Sequence, residues 1–110
     1  MTLADLYTKL DSISEVHGKV RYRAFPPSEL PTPPYICYLI TDSNNFNADN
    51  IVFAPGDSVD IELYTSIRDF TLESKLEAVL AELELPWTRT DSYQTSEEVY
   101  IIIYSTTIRR

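Results

Sequence analysis

The chain has 110 residues, of which 44% are hydrophobic and 12% aromatic, so it is long enough for one domain with a single modest core. Its formal net charge is −8, and its nine Lys and Arg residues are scattered, which leaves no basic stripe for phosphate-driven nucleic-acid binding. No run approaches the ~20 apolar residues of a membrane helix, and we expect no membrane contact.

The start of the chain and its cysteine content indicate synthesis in a cytoplasm. Met1 leads directly into TLADLYTKL, where Asp5 and Lys9 interrupt each short apolar run, so we expect no secretory signal. Cys37 is the only cysteine and lies in the apolar segment YICYLI. We therefore expect a buried, inert thiol in a reducing compartment.

The first predicted element is a helix over residues 3–14. Thr2 and Asp5 have the spacing of an N-terminal capping pair, and Gly18 is placed to end the unit. Apolar side chains follow at the three-and-four spacing of one helical face: Leu3, Leu6, Tyr7, Leu10 and Ile13. The pattern predicts a helix with one buried face.

Two predicted strands flank a proline-rich connector. VRYRAF, residues 20–25, alternates apolar and basic side chains and predicts a strand with one solvated face. The segment PPSELPTPP holds many of the chain's prolines and predicts an extended surface connector. YICYLIT, residues 35–41, is apolar on both sides and predicts a strand that is covered on each face.

The clearest half-buried strand is SVDIELYT, residues 58–65, which follows a turn at Gly56. Three apolar side chains point inward at alternate positions: Val59, Ile61 and Leu63. Residues 70–85 return to helical spacing, and Pro86 forbids continuation of that helix.

The last two predicted strands cover residues 86–93 and 98–108, and the second is apolar on both faces. The order is therefore α-β-β-β-α-β-β. This segregation predicts an α+β fold, a mixed and mainly antiparallel β-sheet with two α-helices packed on one face. Residues 1–110 are expected to form a single domain.

No residues have the spacing of a catalytic, cofactor or metal site. His17 is the only histidine, and it is expected to sit favourably at the end of the first helix. The connector 44–50 has the alternate spacing of a calcium loop, but Asn50 stands where glycine is required and Gly56 where glutamate is required. Its asparagines fit turn residues that tolerate left-handed backbone. We expect no cofactor, no metal and no enzyme activity.

Acidic side chains are plentiful and are expected to form a solvated face, with no pair set apart as acid and base. Those predicted to lie on the surface of the second helix are Glu73, Glu77, Glu82 and Glu84, and those in a turn are Glu97 and Glu98.

The eight tyrosines leave more aromatic surface than one small sheet can cover with helices on one face. Four are predicted to lie on strand faces opposite the core and to form a subunit interface: Tyr38, Tyr64, Tyr100 and Tyr104. The alternative is that a connector or the proline segment folds over that second face.

Several segments of the sequence resemble a known family when taken together. They are PYICYL, SNNFNADNIVF, VDIELYT, DFTLESKLEAVLAE and EEVYIIIYS. This pattern, from about residue 20 to 107, resembles the small tail-completion or tail-terminator proteins of long-tailed phages and prophages of Gram-positive bacteria. Such proteins are also described as minor structural or head-tail joining proteins.

The resemblance implies a virion protein that is assembled in the host cytoplasm and lies at the head-tail interface. It implies a ring of identical subunits, typically a hexamer, that completes the head-proximal end of the tail and contacts the head connector and the tail-tube proteins. DNA would pass through the ring without specific binding, which the acidic charge favours.

The connector around Phe46 is then expected to be a protruding hairpin or loop that lines the ring or reaches a neighbouring subunit, with Phe46 as an anchor. Deleting residues 44–50 is expected to leave the fold intact and to weaken ring formation or tail joining. Two other functions stay open from the sequence. The chain could be a tail-tube or other minor capsid subunit, or a small cytoplasmic binding protein.

Overall fold

A five-stranded mixed sheet lies at the centre of the molecule. The computed structural model describes residues 1–109, apart from the side chains of Ala48 and Phe53. The helices are α1 (Leu3–Asp11) and α2 (Phe70–Glu82), and 3₁₀ turns cover Ser14–Val16 and Pro27–Glu29. The strands are β1 (Val20–Tyr22), β2 (Tyr35–Ser43), β3 (Phe46–Ala48), β4 (Ile51–Ala54), β5 (Gly56–Thr65), β6 (Thr88–Gln94) and β7 (Val99–Arg109).

The strand order of the central sheet is β1-β2-β5-β7-β6, and β3 and β4 form a separate two-stranded hairpin. Only β1 and β2 are parallel neighbours, whereas the other three pairs of the central sheet are antiparallel. The mixed, mainly antiparallel sheet with two helices confirms the predicted α+β class and element order. Strands β3 and β4 are additional to that order and lie in the asparagine-rich connector.

Helix α1 begins at the predicted capping pair. The Asp5 amide donates to Thr2 Oγ1 at 3.2 Å, and the Thr2 amide donates to Asp5 Oδ2 at 2.9 Å. These bonds to the backbone and hydroxyl of Thr2 lower the pKa of the Asp5 carboxyl. The helix ends at Asp11 instead of residue 14, because the Ser12 hydroxyl caps the Lys9 carbonyl at 2.6 Å and the chain continues as a 3₁₀ turn.

Helix α2 begins at an aspartate cap, Asp69, which was not predicted from the sequence. The Leu72 amide donates to Asp69 Oδ1 at 3.0 Å. The helix ends at Glu82, before the predicted residue 85, because Glu84 adopts a left-handed conformation with φ of 58°. The Leu85 amide then closes the end of the helix by donating to the Leu80 carbonyl at 2.9 Å.

Both helices pack on one face of the sheet, and the core lies between them. The inward positions predicted for β5 are confirmed, since Val59, Ile61 and Leu63 are all buried. The helices contribute further fully or nearly fully buried side chains: Leu6, Leu10, Leu72, Leu76 and Leu80. The strands on either side of β5 complete the core with Ile36, Ile102 and Ile108.

Strand β1 is shorter than the predicted 20–25, because Arg23 leaves the extended conformation with φ of 68°. The proline segment that follows contains one 3₁₀ turn, Pro27–Glu29, and its residues are mostly exposed, as expected. Strand β6 begins at Thr88, two residues after its predicted start, while β2 and β5 are slightly longer than predicted.

Candidate assembly surface

The asparagine-rich connector forms a β-hairpin, here called the hairpin (residues 46–54), in which β3 pairs with β4 in antiparallel register. Its two turn residues, Asp49 and Asn50, both have positive φ, 52° and 65°. Two left-handed residues make the tight turn whose twist matches that of the flanking strands. The prediction of a hairpin or loop is confirmed. The left-handed turn geometry expected of the asparagines is confirmed for Asn50, whereas Asn44, Asn45 and Asn47 do not adopt it.

Side chains of the connector also fix the root of the hairpin to the main sheet. The Asn44 amide donates to the Gly56 carbonyl at 2.8 Å, and the Gly56 amide donates to Asn45 Oδ1 at 3.0 Å. The Asn44 side chain donates to Thr107 Oγ1 at 2.9 Å, and Arg109 donates to the Asn44 carbonyl. The hairpin therefore leaves the sheet from a root that is held by both β5 and β7.

The hairpin carries exposed apolar side chains. Phe46 is 58% exposed, Ile51 65% and Val52 50%. Contiguous exposed apolar groups on a projecting segment are typical of surfaces that bind another protein. Phe46 thus lies where an anchor is expected, and its role at a subunit interface stays a prediction.

The sheet face opposite the helices is partly covered, as in the second of the two alternatives, because the proline segment lines an open cavity together with Tyr35. Phe25, just before that segment, also covers this tyrosine. The Phe25 ring contacts Tyr35 edge-on at 5.6 Å between centroids, and Tyr35 stacks on Tyr64 at 4.5 Å. The Tyr64 hydroxyl donates to Glu62 Oε1 at 3.0 Å. Burial raises the pKa of both Glu62 and Tyr64 above their ordinary values.

One part of that face is polar and shallow. An open cavity of about 480 Å³ crosses the middle strands, and most of its lining side chains carry hydroxyl or carboxylate groups. The lining residues are Thr41, Ser58, Asp60, Pro86, Trp87, Thr88, Ser105, Thr106 and Thr107. The Ser105 hydroxyl donates to Asp60 Oδ1 at 2.7 Å, so this carboxylate is already engaged.

The prediction that four tyrosines face away from the core is wrong for three of them. Tyr38 and Tyr104 both lie opposite Ile61 in the sheet register, and both are buried under the helices. Tyr100 shares that face and packs against the core. Only Tyr64 lies on the face opposite the helices. Because β2 and β7 are apolar on both sides, only their pairing with β5 determines which side is inward.

Comparison with known proteins gives a match at the level of structure. No protein-family model matches the chain, and no curated protein matches it. A solved structure, "Virion of native gene transfer agent (GTA) particle", contains a similar chain with a TM-score of 0.66 and 14% sequence identity. The match covers 94% of this chain and 90% of that chain. The two chains share a fold.

The prediction of a solvated acidic surface on the second helix is wrong for Glu73. Its side chain is buried and bound by Arg68 at 2.6 and 3.1 Å and by Arg89 at 3.3 Å. Glu77 accepts from the Tyr104 hydroxyl at 2.7 Å. Hydrogen bonding to Glu73 raises the pKa of Arg68, and burial raises that of Tyr104. Glu82, Glu84, Glu97 and Glu98 are exposed, as predicted.

The single histidine and the single cysteine lie in surroundings that are common for structural residues. His17 is exposed beyond the end of α1, with Nδ1 3.0 Å from the Asp11 carbonyl oxygen. Cys37 is buried on the face opposite the helices, as expected, and burial raises its pKa to about 11. Within residues 1–109, no group of three or more His, Cys, Asp or Glu side chains could hold a metal ion.

Neither α1 nor α2 has the length and apolar character that crossing a membrane would require.

Proposed function

We propose that this chain is a structural virion protein that completes the phage tail at its head-proximal end. The observation that carries the proposal is the fold shared, over nearly the full length of both chains, with a component of a gene transfer agent virion. The tail-completion pattern of the sequence supports the more specific role. In this role the chain lies at the head-tail interface, and its action is to bind neighbouring proteins, without catalysis.

The proposed assembly is a closed ring of identical subunits, a hexamer by the resemblance. A ring of this kind requires two different and complementary surfaces on each subunit. The rigidly rooted hairpin with its exposed Phe46 and Ile51 is suited to be one of them. The ring would contact the head connector on one side and the tail tube on the other.

A DNA passage through the ring is compatible with the charge of the chain. The net charge of −8 disfavours tight contact with phosphates. Among residues 1–109, the shallow cavity opposite the helices is lined mostly by hydroxyl and carboxylate groups, together with Pro86 and Trp87, and by no lysine or arginine. A lumen of this chemistry would let DNA slide without holding it.

The test is the solution mass of the purified chain across concentration, by light scattering after size exclusion, with electron microscopy of the largest species. Closed rings are the expected result. Long tubes would indicate a tail-tube subunit instead. A second measurement, antibody labelling of intact particles from a producing strain, should mark the junction of head and tail. Label along the tail, or on no particle, would overturn the proposed role.

A further inference from the structure

The hairpin has a charge character that sets it apart from the rest of the surface. Between Arg23 and Arg68 the sequence contains no lysine, arginine or histidine. Asp49 lies at the exposed tip, and Asp42 lies just before the root. The hairpin is thus an apolar, purely acidic projection, and the chemistry that complements it is an aromatic or aliphatic surface with a cation.

Such a surface lies at the β1 edge of the sheet and is called here the tyrosine patch (Tyr7, Tyr22 and Arg23). Tyr7 is 40% exposed and Tyr22 41%. Their rings pack on Tyr38 with centroid distances of 6.3 and 5.4 Å, so the patch rests on a buried support. Exposed Tyr and Arg side chains dominate the binding energy of many protein interfaces.

Arg23 is held in place by its backbone while its charge is left available. Its amide donates to the Tyr38 carbonyl at 2.8 Å, and its φ is 68°. Within the described part of the chain, no hydrogen bond or ion pair engages its guanidinium. By contrast, Arg21 is paired with Glu29 at 3.0 Å, and Arg68 with Glu73 at 2.6 Å. Arg23 directly follows the exposed Tyr22 in the chain, and its cation can accept an acidic partner.

We propose that the hairpin of one copy of this chain docks on the tyrosine patch of a second copy. Ile51, the more exposed of the two apolar residues after the turn, would pack on Tyr7 and Tyr22, and the carboxylate of Asp49 would pair with Arg23. This inference rests on the proposed ring and names the contact that forms it. Because hairpin and patch are different surfaces, the contact is head-to-tail and can close into a ring.

The hairpin is placed to reach a neighbour rather than the patch of its own subunit. Strand β1 pairs with β2 at Ile36–Tyr38, whereas the hairpin follows the far end of β2 at Ser43. The Tyr22 hydroxyl accepts from the Ile40 amide at 3.2 Å, and three further residues of strand place Ser43 about 10 Å beyond that contact. The hairpin follows beyond Ser43. The molecule is longer than its longest strand, since its long axis measures 49 Å whereas the 11 residues of β7 span about 36 Å.

Two variants and one control test the contact by light scattering. The hairpin variant is Ile51→Ser with Val52→Ser, and the patch variant is Arg23→Asp, since aspartate tolerates the left-handed backbone at this position. Each should weaken self-association by about tenfold or more. The control is Ile67→Ser, which removes a side chain that is 75% exposed and lies in neither surface. It should associate as the unmodified chain does.

An equimolar mixture of the two variants gives the sharper result. The hairpin variant keeps an intact patch and the patch variant keeps an intact hairpin, so one sound contact can form between them. We expect a two-subunit species that does not grow further. Each variant alone should stay monomeric at the same concentration.

Three results would overturn the docking contact. The first is that both variants self-associate as strongly as the unmodified chain. The second is that Ile67→Ser weakens self-association as much as the hairpin variant does. The third is that the equimolar mixture stays monomeric. Rings that both variants still form would leave the proposed function standing, because that function requires a ring and not this particular contact. An unmodified chain that is monomeric up to about 1 mM would exclude self-docking, and particle labelling would then still test the virion role separately.

Discussion

Arg68 donates two hydrogen bonds to the buried carboxylate of Glu73, from Nε to Oε2 at 2.6 Å and from Nη2 to Oε1 at 3.1 Å. Arg68 also pairs with Asp91 at 3.0 Å, so one guanidinium joins the start of α2 to strand β6. Paired, charge-assisted bonds of this geometry are what allows a carboxylate to be buried at all. The pair therefore fixes the packing of α2 against the edge of the sheet.

Replacing Arg68 by methionine should lower the free energy of unfolding by about 3 kcal/mol, because a buried carboxylate would lose its main partner. Of its two arginine partners, Glu73 would keep Arg89, at the longer distance of 3.3 Å. Urea unfolding measures the change. The matched control is Glu82→Gln in the exposed pair with Lys9, which should cost less than about 0.5 kcal/mol. Equal losses in the two variants would contradict this assignment.

Gly56→Ala should destabilise the root of the hairpin. A Cβ at this position would lie 2.5 Å from the Asn44 carbonyl oxygen and 2.6 Å from Arg109 Nη1, so backbone must shift. The expected loss is about 1–3 kcal/mol in urea unfolding. Gly18→Asn is the control, since Gly18 has φ of 77° in open space and asparagine tolerates that conformation. If both variants unfold at the same urea concentration, the close contacts around Gly56 do not limit the side chain at this position, and the prediction is wrong.

Stability should fall with rising pH through the titration of Glu62. Burial raises its pKa in the folded protein, so the folded state binds its proton more tightly than the unfolded state does. Its contribution is therefore favourable below the ordinary pKa of glutamate and is lost as pH rises through the raised value. The Glu62→Gln side chain can still accept a hydrogen bond from Tyr64. In this variant, stability should decline less than in the unmodified chain as pH rises above about 4.3. Thermal unfolding from pH 4 to 8 measures this, and parallel profiles would refute it.

Replacing residues 46–54 by two glycines should remove self-association and keep the central sheet. The bonds that Asn44 and Asn45 make to Gly56 would remain, so cooperative unfolding should persist. Association, followed by light scattering, should weaken by about tenfold or more. Deleting residues 44–50 instead removes the root as well, and we now expect it to lower stability too. Full association without the hairpin would contradict its role.

Much of the fold follows from local patterns in the sequence. The alternation around Ile61 predicted β5, the spacing around Leu76 predicted α2, and the pair Thr2 and Asp5 predicted the start of α1. Each of these signals lies within a few residues of the element that it predicts. Element ends were less accurate, because left-handed residues such as Glu84 terminate them without a glycine to mark the position.

The misplaced residues depended on contacts between distant segments. Tyr104 lies on a strand with two apolar faces, and only its pairing opposite Ile61 places it in the core. Glu73 looked solvated because Arg89, one of its partners, lies 16 residues away on β6. Its main partner, Arg68, lies only five residues before it, and this nearby cation was the signal that could have indicated a charged contact at the start of α2.

The hairpin and the atoms that hold its root are made at very different times during translation. Asn44 is bonded to Thr107 and Arg109, which follow it by 63 and 65 residues. At roughly 5–20 residues per second, the ribosome needs on the order of several seconds to add that length. Strand β7 is also the central partner of β5, so the sheet cannot close earlier. A nascent chain would thus display a hairpin whose root is bonded to Gly56 alone, and fixing it to β7 is a late step of folding.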